Sequence, residues 1–329
     1  MASISAILIS PDGYETLRRL VNHLHAQTIR REIELVFVFP ACVEAEPSDP
    51  LLQDFAAVRV VRIPDLESTA RARAAGVRQA GAPVVVMTED HSLPEEEWAE
   101  ALVRAHQKDW GAVGPAVKNG NPHSLLSWAN LVIEYLDWLH PAPGGEAHHL
   151  PGHNSAYKRD LLLAFGDDLG DWLEAESVLH WRLRADGHRV ALEPAAVTRH
   201  YNFSRFLPTL ALRYDCGRQF AAMCRVRWSL ARRLLYIGGS PLIPFVRVAR
   251  IVRQMRRPGR PARLLPALAP LCLFLLAIET VGAVAGYAAG PGSSIRRIAR
   301  IDFHREDYMN RRDRRIFEGL PGAARAEPG

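Results

Sequence analysis

A short apolar run that ends abruptly in acidic residues is the feature of this chain that most constrains its fold. The run Val84–Met87 is apolar on successive positions, and it is followed by Thr88, Glu89, Asp90 and His91. A strand that is apolar on both faces is typical of a parallel sheet covered by helices. The carboxyl end of such a strand opens into the ligand crevice. The sequence therefore predicts an α/β fold with oxygen ligands, suited to a divalent cation, at this strand end.

The rest of the front half repeats this pattern of short apolar runs separated by helical segments. Strands are predicted over residues 3–10, 33–39, 58–63 and 84–87, and helices over 14–26, 68–80 and 94–106. Strands that alternate with helices in this way form right-handed βαβ connections. We therefore predict a Rossmann-like, mainly parallel sheet flanked by helices.

Charge is divided unequally between the two parts of the chain. Residues 1–200 carry 18 Lys and Arg against 28 Asp and Glu, whereas residues 201–329 carry 23 Arg and 8 Asp and Glu. This division predicts an α/β domain over 1–205 and an arginine-rich helical region over 206–329. Basic regions bind nucleic acid or anionic membranes. The arginines here alternate with long aliphatic runs and form no recognition-helix pattern, which favours a membrane surface over nucleic acid as the partner.

The sequence predicts an arginine-rich helix over 211–236, an amphipathic helix over 244–257 and an apolar segment over 264–290 in the rear half. The apolar segment has 27 residues, and about 20 suffice to cross a bilayer. Arginines flank both of its ends, and Glu279 lies within it, which disfavours a simple crossing. We expect a re-entrant hairpin that turns near Glu279–Gly282, and the alternative is a buried helical pair of a soluble domain.

Cysteine spacing and the first strand favour a cytosolic setting. The four cysteines form no CxxC pair and no disulfide framework. The apolar run Ile4–Ile9 is too short for the core of a signal peptide. We therefore predict association with the cytoplasmic face of the inner (plasma) membrane.

Several short motifs follow one another in a fixed order in the front half. They are Ala72-Arg73-Ala74-Ala75-Gly76, Thr88-Glu89-Asp90, Trp98, Gly152-His153-Asn154-Ser155, Glu174-Ala175-Glu176 and His200. With this order and spacing, residues 3–203 resemble a family-2 glycosyltransferase of the GT-A fold, of the membrane-associated bacterial type. The resemblance implies an inverting, metal-dependent enzyme that moves a sugar from a nucleotide-diphosphate donor to a hydroxyl acceptor.

The resemblance also assigns the metal site. Asp90 matches the last aspartate of the family's metal motif, and Glu89 is a second candidate ligand or a partner for the ribose. His200 matches the closing histidine of the family and is expected to bind the metal or the diphosphate. His91 either ligates or caps the following helix. The expected cofactor is Mg²⁺ or Mn²⁺, which would neutralise the leaving diphosphate.

Glu176 matches the family's catalytic base, which takes the proton of the acceptor hydroxyl. Glu174, two residues away on a helix, does not face the same way, so one of these two acids serves elsewhere. The remaining donor- or acceptor-binding candidates, with Glu89 and Glu174, are Asp12, Arg73, Gly152, His153, Asn154 and Trp172. Arg73 is expected to pair with phosphate or with a core-edge acid, and Trp172 to stack on an acceptor ring.

Departures from the family pattern leave alternatives open. Thr88 stands in place of the first aspartate of the metal motif, and Val38-Phe39-Pro40 stands where an aspartate normally contacts the base. A catalytically inactive scaffold that binds nucleotide sugars is therefore one alternative. A sugar nucleotidyltransferase is another, although Ser10–Gly13 lacks its glycine-rich loop. The processive-synthase signature is absent around Arg227-Trp228, which favours a single transfer to an acceptor that is lipid-linked or part of a cell-envelope glycan.

Overall fold

The computed structural model describes residues 1–321. The strands are β1 Ile4–Ile9, β2 Ile33–Pro40, β3 Ala57–Ile63, β4 Val84–Met87, β5 Ser92–Pro94, β6 Ala112–Asn119, β7 Gly145–Glu146, β8 Ala156–Lys158 and β9 Val190–His200. The α-helices are α1 Tyr14–His25, α2 Thr69–Gln79, α3 Trp98–His106, α4 Leu125–Tyr135, α5 Arg159–Leu163, α6 Leu169–Leu173, α7 Glu176–Ala185, α8 Phe206–Arg227, α9 Leu230–Gly239, α10 Ile243–Met255, α11 Leu265–Ala289, α12 Ser294–Phe303 and α13 Arg311–Glu318.

One sheet organises the front half, with the strand order β3-β2-β1-β4-β8-β6-β9-β5 and β7 paired to β9. The first four strands in this order are parallel, and β8 runs antiparallel to its neighbours β4 and β6. Helix α2 lies so close to the sheet that a Cβ on Gly76 would be 2.6 Å from Ile7 Cγ2. The predicted α/β class, a mainly parallel sheet flanked by helices and followed by a helical region, is confirmed.

The segment after β4 differs from the prediction. The sequence predicts a helix from residue 94, but Ser92–Pro94 forms a strand antiparallel to β9, and the helix begins at Trp98. β9 is one continuous strand of 11 residues. Local pattern could not show this, because the partner strand is about a hundred residues away. The pairing places Ser92 directly opposite His200.

The chain divides into two compact units. Among the described residues, the first contains Met1–Lys118, Ala142–His200 and 316–321, and the second contains Asn119–Pro141 and Tyr201–Arg315. The sheet and every site residue predicted from sequence belong to the first unit. The second unit is helical, and it includes α4, which precedes β7 along the chain.

Within the second unit, α8 and α11 touch along their backbones. A Cβ on Gly217 would lie 1.9 Å from the carbonyl oxygen of Glu279, and one on Gly282 would lie 2.0 Å from that of Tyr214. Small residues permit such close helix packing. The expected hairpin near Glu279–Gly282 is wrong, because α11 runs without interruption from Leu265 to Ala289.

Two helical segments of this unit are long and apolar enough to cross a membrane, judged by length and composition. They are Leu230–Met255 and Ala262–Ala289. Glu279, which a lipid environment would disfavour, is paired with Arg213 at 3.3 Å and with Arg247. Its charge is thus compensated inside the protein, which removes one objection to an apolar surrounding for α11.

Candidate active site

Two of the residues predicted to bind metal, Glu89 and Asp90, lie on the turn Thr88–His91 between β4 and β5, which we call the acid turn. The Thr88 hydroxyl donates to the carbonyl oxygen of Ile7 at 2.6 Å. The carbonyl oxygen of Glu89 accepts from the N–H of Ser92 at 3.2 Å, which closes the turn. Thr88, which stands where the family has an aspartate, therefore ties the turn to β1, and the two acids after it supply the carboxylates.

His91 lies between the two carboxylates of the acid turn. Its Nδ1 is 2.7 Å from Asp90 Oδ1, and its Nε2 is 3.1 Å from Glu89 Oε2. The residue is 2% exposed, so water does not compete for these contacts. The imidazole therefore holds the direction of Asp90 and lies within ion-pair distance of Glu89. Sequence reasoning missed this bridging role, for which the adjacency of Asp90 and His91 was the available signal.

Two histidines from distant parts of the chain, His153 and His200, lie beside His91 of the acid turn. The ring of His200 stacks on that of His153 with 4.9 Å between centroids, and it meets His91 edge-on at 5.2 Å. The pairing of His200 with Ser92 in the sheet brings it here. One ligand atom from each of Glu89, His153 and His200 lies within 4.8 Å of the other two.

This group of three fits a divalent cation. One carboxylate oxygen and two imidazole nitrogens suit Mn²⁺ and the later first-row ions. Burial alone would raise the pKa of Glu89, but the neighbouring charges of His153, His91 and Arg73 hold that pKa well below its usual range. Among the residues described, Asp90 does not belong to this group, and its carboxylate contacts His91 instead.

Arg73, on α2, joins the acid turn to the start of α7. Its Nη1 is 2.6 Å from Glu176 Oε1, and its Nη2 is 3.1 Å from Glu89 Oε1. Of the two partners expected from sequence, phosphate or a core-edge acid, the structure places acids beside this guanidinium. Burial raises the pKa of Glu176, with a further contribution from the charge of Glu89, while Arg73 opposes the shift. The carboxylate of Glu176 thus takes up a proton more readily than an exposed glutamate does.

Gly152 leaves room for the carboxylate of Glu176. A Cβ on Gly152 would lie 2.7 Å from Glu176 Cδ and 2.8 Å from both carboxylate oxygens. Any larger residue at this position would therefore displace the acid. The sequence-predicted residues Arg73, Glu89, Gly152 and Glu176 are thus joined by direct contacts or by close approach.

Asn154 connects the loop that carries His153 to both ends of the acid turn. Its φ is 53°, in the left-handed region that asparagine tolerates. Its backbone N–H donates to Met87 O at 2.6 Å, and its Nδ2 donates to Ser92 O at 2.9 Å. Asn154 therefore holds the strand ends on either side of the turn, a structural contribution that a motif match does not reveal.

His180, on α7, holds the two ends of the same loop. Its Nδ1 accepts from the N–H of Leu150 at 3.2 Å, and its Nε2 is 2.8 Å from the Tyr157 hydroxyl. His180 lies one helical turn after Glu176 and therefore on the same face of α7. Sequence reasoning missed this residue, although its spacing of four from Glu176 was the available signal.

Three predicted residues have their described contacts elsewhere. Glu174 accepts a hydrogen bond from Ser68, the residue that caps α2. The ring of Trp172 lies 5.4 Å from that of Phe165, and Arg182 lies over it. Asp12 is exposed, and its backbone N–H donates to Ser10 Oγ at 3.0 Å. The two acids of the predicted pair, Glu174 and Glu176, therefore have different partners.

The chain is similar to one protein family and to several solved structures. Residues 5–165 match the model of the family described as glycosyl transferase family 2. A similar solved structure is the mannosyltransferase PcManGT from Pyrobaculum calidifontis in complex with GDP-Man and Mn²⁺. It has 18% sequence identity and a TM-score of 0.47, and the alignment covers 98% of this chain and 86% of that one.

A second similar structure is that of TarS from S. aureus. It has 15% identity and a TM-score of 0.41, and the alignment covers 88% of this chain and 55% of that chain. A search of the curated proteins gives no significant match.

Proposed function

The chain belongs to the family-2 glycosyltransferases through residues 5–165, and from this premise we propose an inverting, metal-dependent transfer from a nucleotide-diphosphate donor to a hydroxyl acceptor. The observation that carries the proposal is the bridge made by Arg73 between Glu89 and Glu176. It holds the carboxylate assigned to the cation and the carboxylate assigned to the acceptor on one guanidinium. These are the two chemical roles that sugar transfer requires.

Glu176 acts in this proposal as the general base. Its raised pKa makes it a better proton acceptor, and its side chain is 23% exposed, so an acceptor hydroxyl can reach it. A single displacement with one base inverts the configuration at the anomeric carbon. Arg73 orients the carboxylate, and Gly152 gives it space.

Glu89 and His200 would hold the cation in this proposal. A bound Mg²⁺ or Mn²⁺ supplies charge neutralisation for the departing nucleoside diphosphate. Asp90 contributes negative charge at the same strand end, and His91 keeps its carboxylate in place. Trp172, Asp12, His153 and Asn154 remain proposed contacts of donor or acceptor.

We further propose that residues 1–205 catalyse the transfer while residues 206–329 attach the enzyme to the cytoplasmic face of the inner membrane. Helix α10 supports this because two of its arginines pair with acids of the same unit while large apolar side chains are exposed on α9 and α10. Arg247 and Arg250 pair with Glu279 and Asp137 within the unit. Phe245 is 62% exposed. Other large apolar side chains exposed on α9 and α10 are Leu230, Leu234, Leu235 and Val246.

Such a patch is favourable in lipid and unfavourable in water, so a lipid surface is the proposed partner. A lipid-linked or cell-envelope acceptor follows from this location, because the enzyme would then meet its acceptor in the plane of the membrane. This acceptor class is part of the proposal and is tested separately from the donor.

The test is a panel of nucleotide sugars measured with the full chain in detergent. We expect one donor to raise the melting temperature only when Mn²⁺ or Mg²⁺ is present, and the same donor to release nucleoside diphosphate when a membrane lipid extract is added. Metal-dependent donor binding without release from any extract would indicate the inactive scaffold instead. Formation of a sugar nucleotide from a sugar phosphate would indicate the nucleotidyltransferase.

A further inference from the structure

We infer that His153, rather than Asp90, is the third protein ligand of the cation, and that the resulting site prefers Mn²⁺ and later first-row ions to Mg²⁺. The inference concerns the cation of the proposed function and therefore rests on it. The site would consist of Glu89, His153 and His200, which offer one oxygen and two nitrogens. Three observations carry it, namely the position of Asp90, the orientation of His153 and the chemistry of the donors.

Asp90 is engaged by its neighbour. Its Oδ1 lies 2.7 Å from Nδ1 of His91, whose opposite nitrogen contacts Glu89 at 3.1 Å. Among the described residues, the ligand atoms that lie within 4.8 Å of one another come from Glu89, His153 and His200, and Asp90 contributes none to this group. The geometry therefore favours a ligand other than Asp90.

His153 is oriented for metal binding by a hydroxyl group. Ser92 Oγ lies 3.0 Å from His153 Nδ1, and both residues are buried. In the tautomer whose Nδ1–H donates to this hydroxyl, the lone pair of the neutral ring is on Nε2, and the ring would ligate through Nε2. Asn154 fixes the same segment through its bond to Ser92 O. Ser92 is therefore a positioning residue for His153.

The distances among the donors suit one ion. Two ligand atoms on the same ion are at most about 4.2 Å apart when each bond is about 2.1 Å long. The three donor atoms lie within 4.8 Å of one another, so side-chain adjustments of a few tenths of an ångström would complete the site. Mg²⁺ prefers an octahedron of oxygens and gives up water reluctantly, whereas imidazole nitrogens favour transition metals.

The experiment titrates the full, tag-free chain in detergent with Mn²⁺ alone and Mg²⁺ alone, using calorimetry and the electron paramagnetic resonance of free Mn²⁺. We expect Mn²⁺ to bind at least about tenfold more tightly than Mg²⁺. His153→Gln should weaken Mn²⁺ binding by at least about tenfold and Ser92→Ala by about tenfold, because a ligand and its orienting group are lost. Ser92→Thr, which keeps the hydroxyl, should restore most of the affinity.

Two further variants complete the test. Asp90→Asn should weaken Mn²⁺ binding by no more than about threefold. His148→Gln changes an exposed histidine of the same region and should leave the affinity unchanged. Unchanged binding in His153→Gln, or a larger loss in Asp90→Asn than in His153→Gln, would overturn the inference. Circular dichroism of each variant establishes that it is folded, and the loss in Ser92→Ala with its recovery in Ser92→Thr supplies the result if His153→Gln fails to fold.

Failure of the inference is distinguishable from failure of the proposed function. Sugar transfer by the wild type, together with equal affinity for Mg²⁺ and Mn²⁺, would overturn the inference and leave the transferase intact. The expected pattern of Mn²⁺ affinities, without transfer from any donor in the panel, would uphold the inference and remove the enzymatic proposal.

Discussion

Each of the two units contains a buried arginine between two glutamates. In the first unit, Arg73 lies between Glu89 and Glu176, and its side chain is 6% exposed. In the second unit, Arg213 lies between Glu134 and Glu279, and its side chain is 1% exposed. The two ionic arrangements are the same. The Arg73 cluster belongs to the candidate active site and the Arg213 cluster only stabilises the fold, so this difference must come from the surrounding residues.

The surroundings differ in kind. Glu89 lies on a turn at a strand end, beside three histidines that offer nitrogen donors. Glu176 begins a helix, next to a glycine that leaves space. Glu279 instead projects from the middle of α11, where Arg247 adds a second positive partner. Carboxylates at element ends with ligating neighbours can exchange partners with a substrate, whereas those held between helices are neutralised by arginines.

Of the substitutions that test this comparison, Glu176→Gln should produce the largest effect, which is on kcat. The amide keeps the shape of the side chain but cannot accept the proton, so we expect kcat to fall about 10²–10⁴-fold with donor affinity almost unchanged. Release of nucleoside diphosphate measures the rate, and calorimetric titration measures donor binding.

Glu174→Gln is the matched control for this prediction. Glu174 lies two residues away and contacts Ser68, so its amide should retain that hydrogen bond and most of the activity. Equal losses in the two variants would mean that Glu176 has no special part in the reaction.

Arg213→Met tests how much the ion pairs of Arg213 with Glu134 and Glu279 stabilise the second unit. The substitution leaves Glu134 without its described arginine partner in a largely buried setting, so we expect a loss of about 3–5 kcal/mol in the free energy of unfolding. Urea unfolding in detergent, followed by tryptophan fluorescence, measures this loss. Arg257→Met, at an exposed position of the same unit, is the control.

A second substitution sharpens this test. Adding Glu134→Gln to Arg213→Met removes the uncompensated charge, so part of the lost stability should return. A double variant less stable than Arg213→Met would show that Glu134 stabilises the unit by contacts other than this ion pair.

Much of the fold of the first unit could be predicted because its signals are local. Continuous apolar runs such as Val84–Met87 predict buried strands, and the strand end predicts where acids must lie. The helix predicted over 211–236 is in fact two helices that meet near Ser229, whose side chain caps the second. A capping serine inside an arginine-rich run is a weak signal, which explains the wrong prediction.

The details of the site depended on contacts between distant residues. The motif order predicted that Glu89, Glu176 and His200 belong together, but it gave no information on hydrogen-bond partners. That His200 lies beside the acid turn, directly opposite Ser92, follows from the pairing of β5 with β9. Pairing across about a hundred residues has no periodicity in the sequence, so it could not be predicted from local pattern. The domain boundary at residue 205 and the individual site roles remain predictions.

Lowering the pH should reveal the contribution of His180 to stability. This residue links α7 to the loop between Leu150 and Tyr157. Burial and, to a lesser extent, the charge of His149 lower the pKa of His180 to about 3. Below the unfolded-state pKa of about 6.5 the unfolded chain binds a proton that the folded chain does not, so stability falls as pH falls. This group alone should remove about 2 kcal/mol between pH 7 and pH 5.

His180→Asn is the comparison for this pH dependence. The asparagine oxygen replaces Nδ1 as the acceptor for the N–H of Leu150 and does not titrate. Urea unfolding at pH 7 and pH 5 should therefore show a smaller loss in the variant than in the wild type. Equal losses in both proteins would mean that other groups account for the acid sensitivity.

Gly152→Ala should have the smallest effect. It tests whether crowding the carboxylate of the proposed base, without removing its charge, slows the reaction. The new Cβ would lie 2.7 Å from Glu176 Cδ, and since that side chain is flexible the carboxylate should move away. We expect kcat to fall about tenfold with the melting temperature almost unchanged, because a misplaced catalytic group slows the reaction without unfolding the protein. Gly238→Ala, where a Cβ meets nothing within 4 Å, is the control.

The double variant Gly152→Ala with Glu176→Asp distinguishes this explanation from a general disturbance of the loop. Aspartate is shorter by one methylene, so its carboxylate no longer meets the added methyl group. If Gly152 acts only by leaving room for Glu176, then adding Gly152→Ala to Glu176→Asp should cost nothing further in kcat. Residues in contact are expected to be non-additive in this way. Multiplied losses would instead place the effect of Gly152 on the loop of His153 and Asn154.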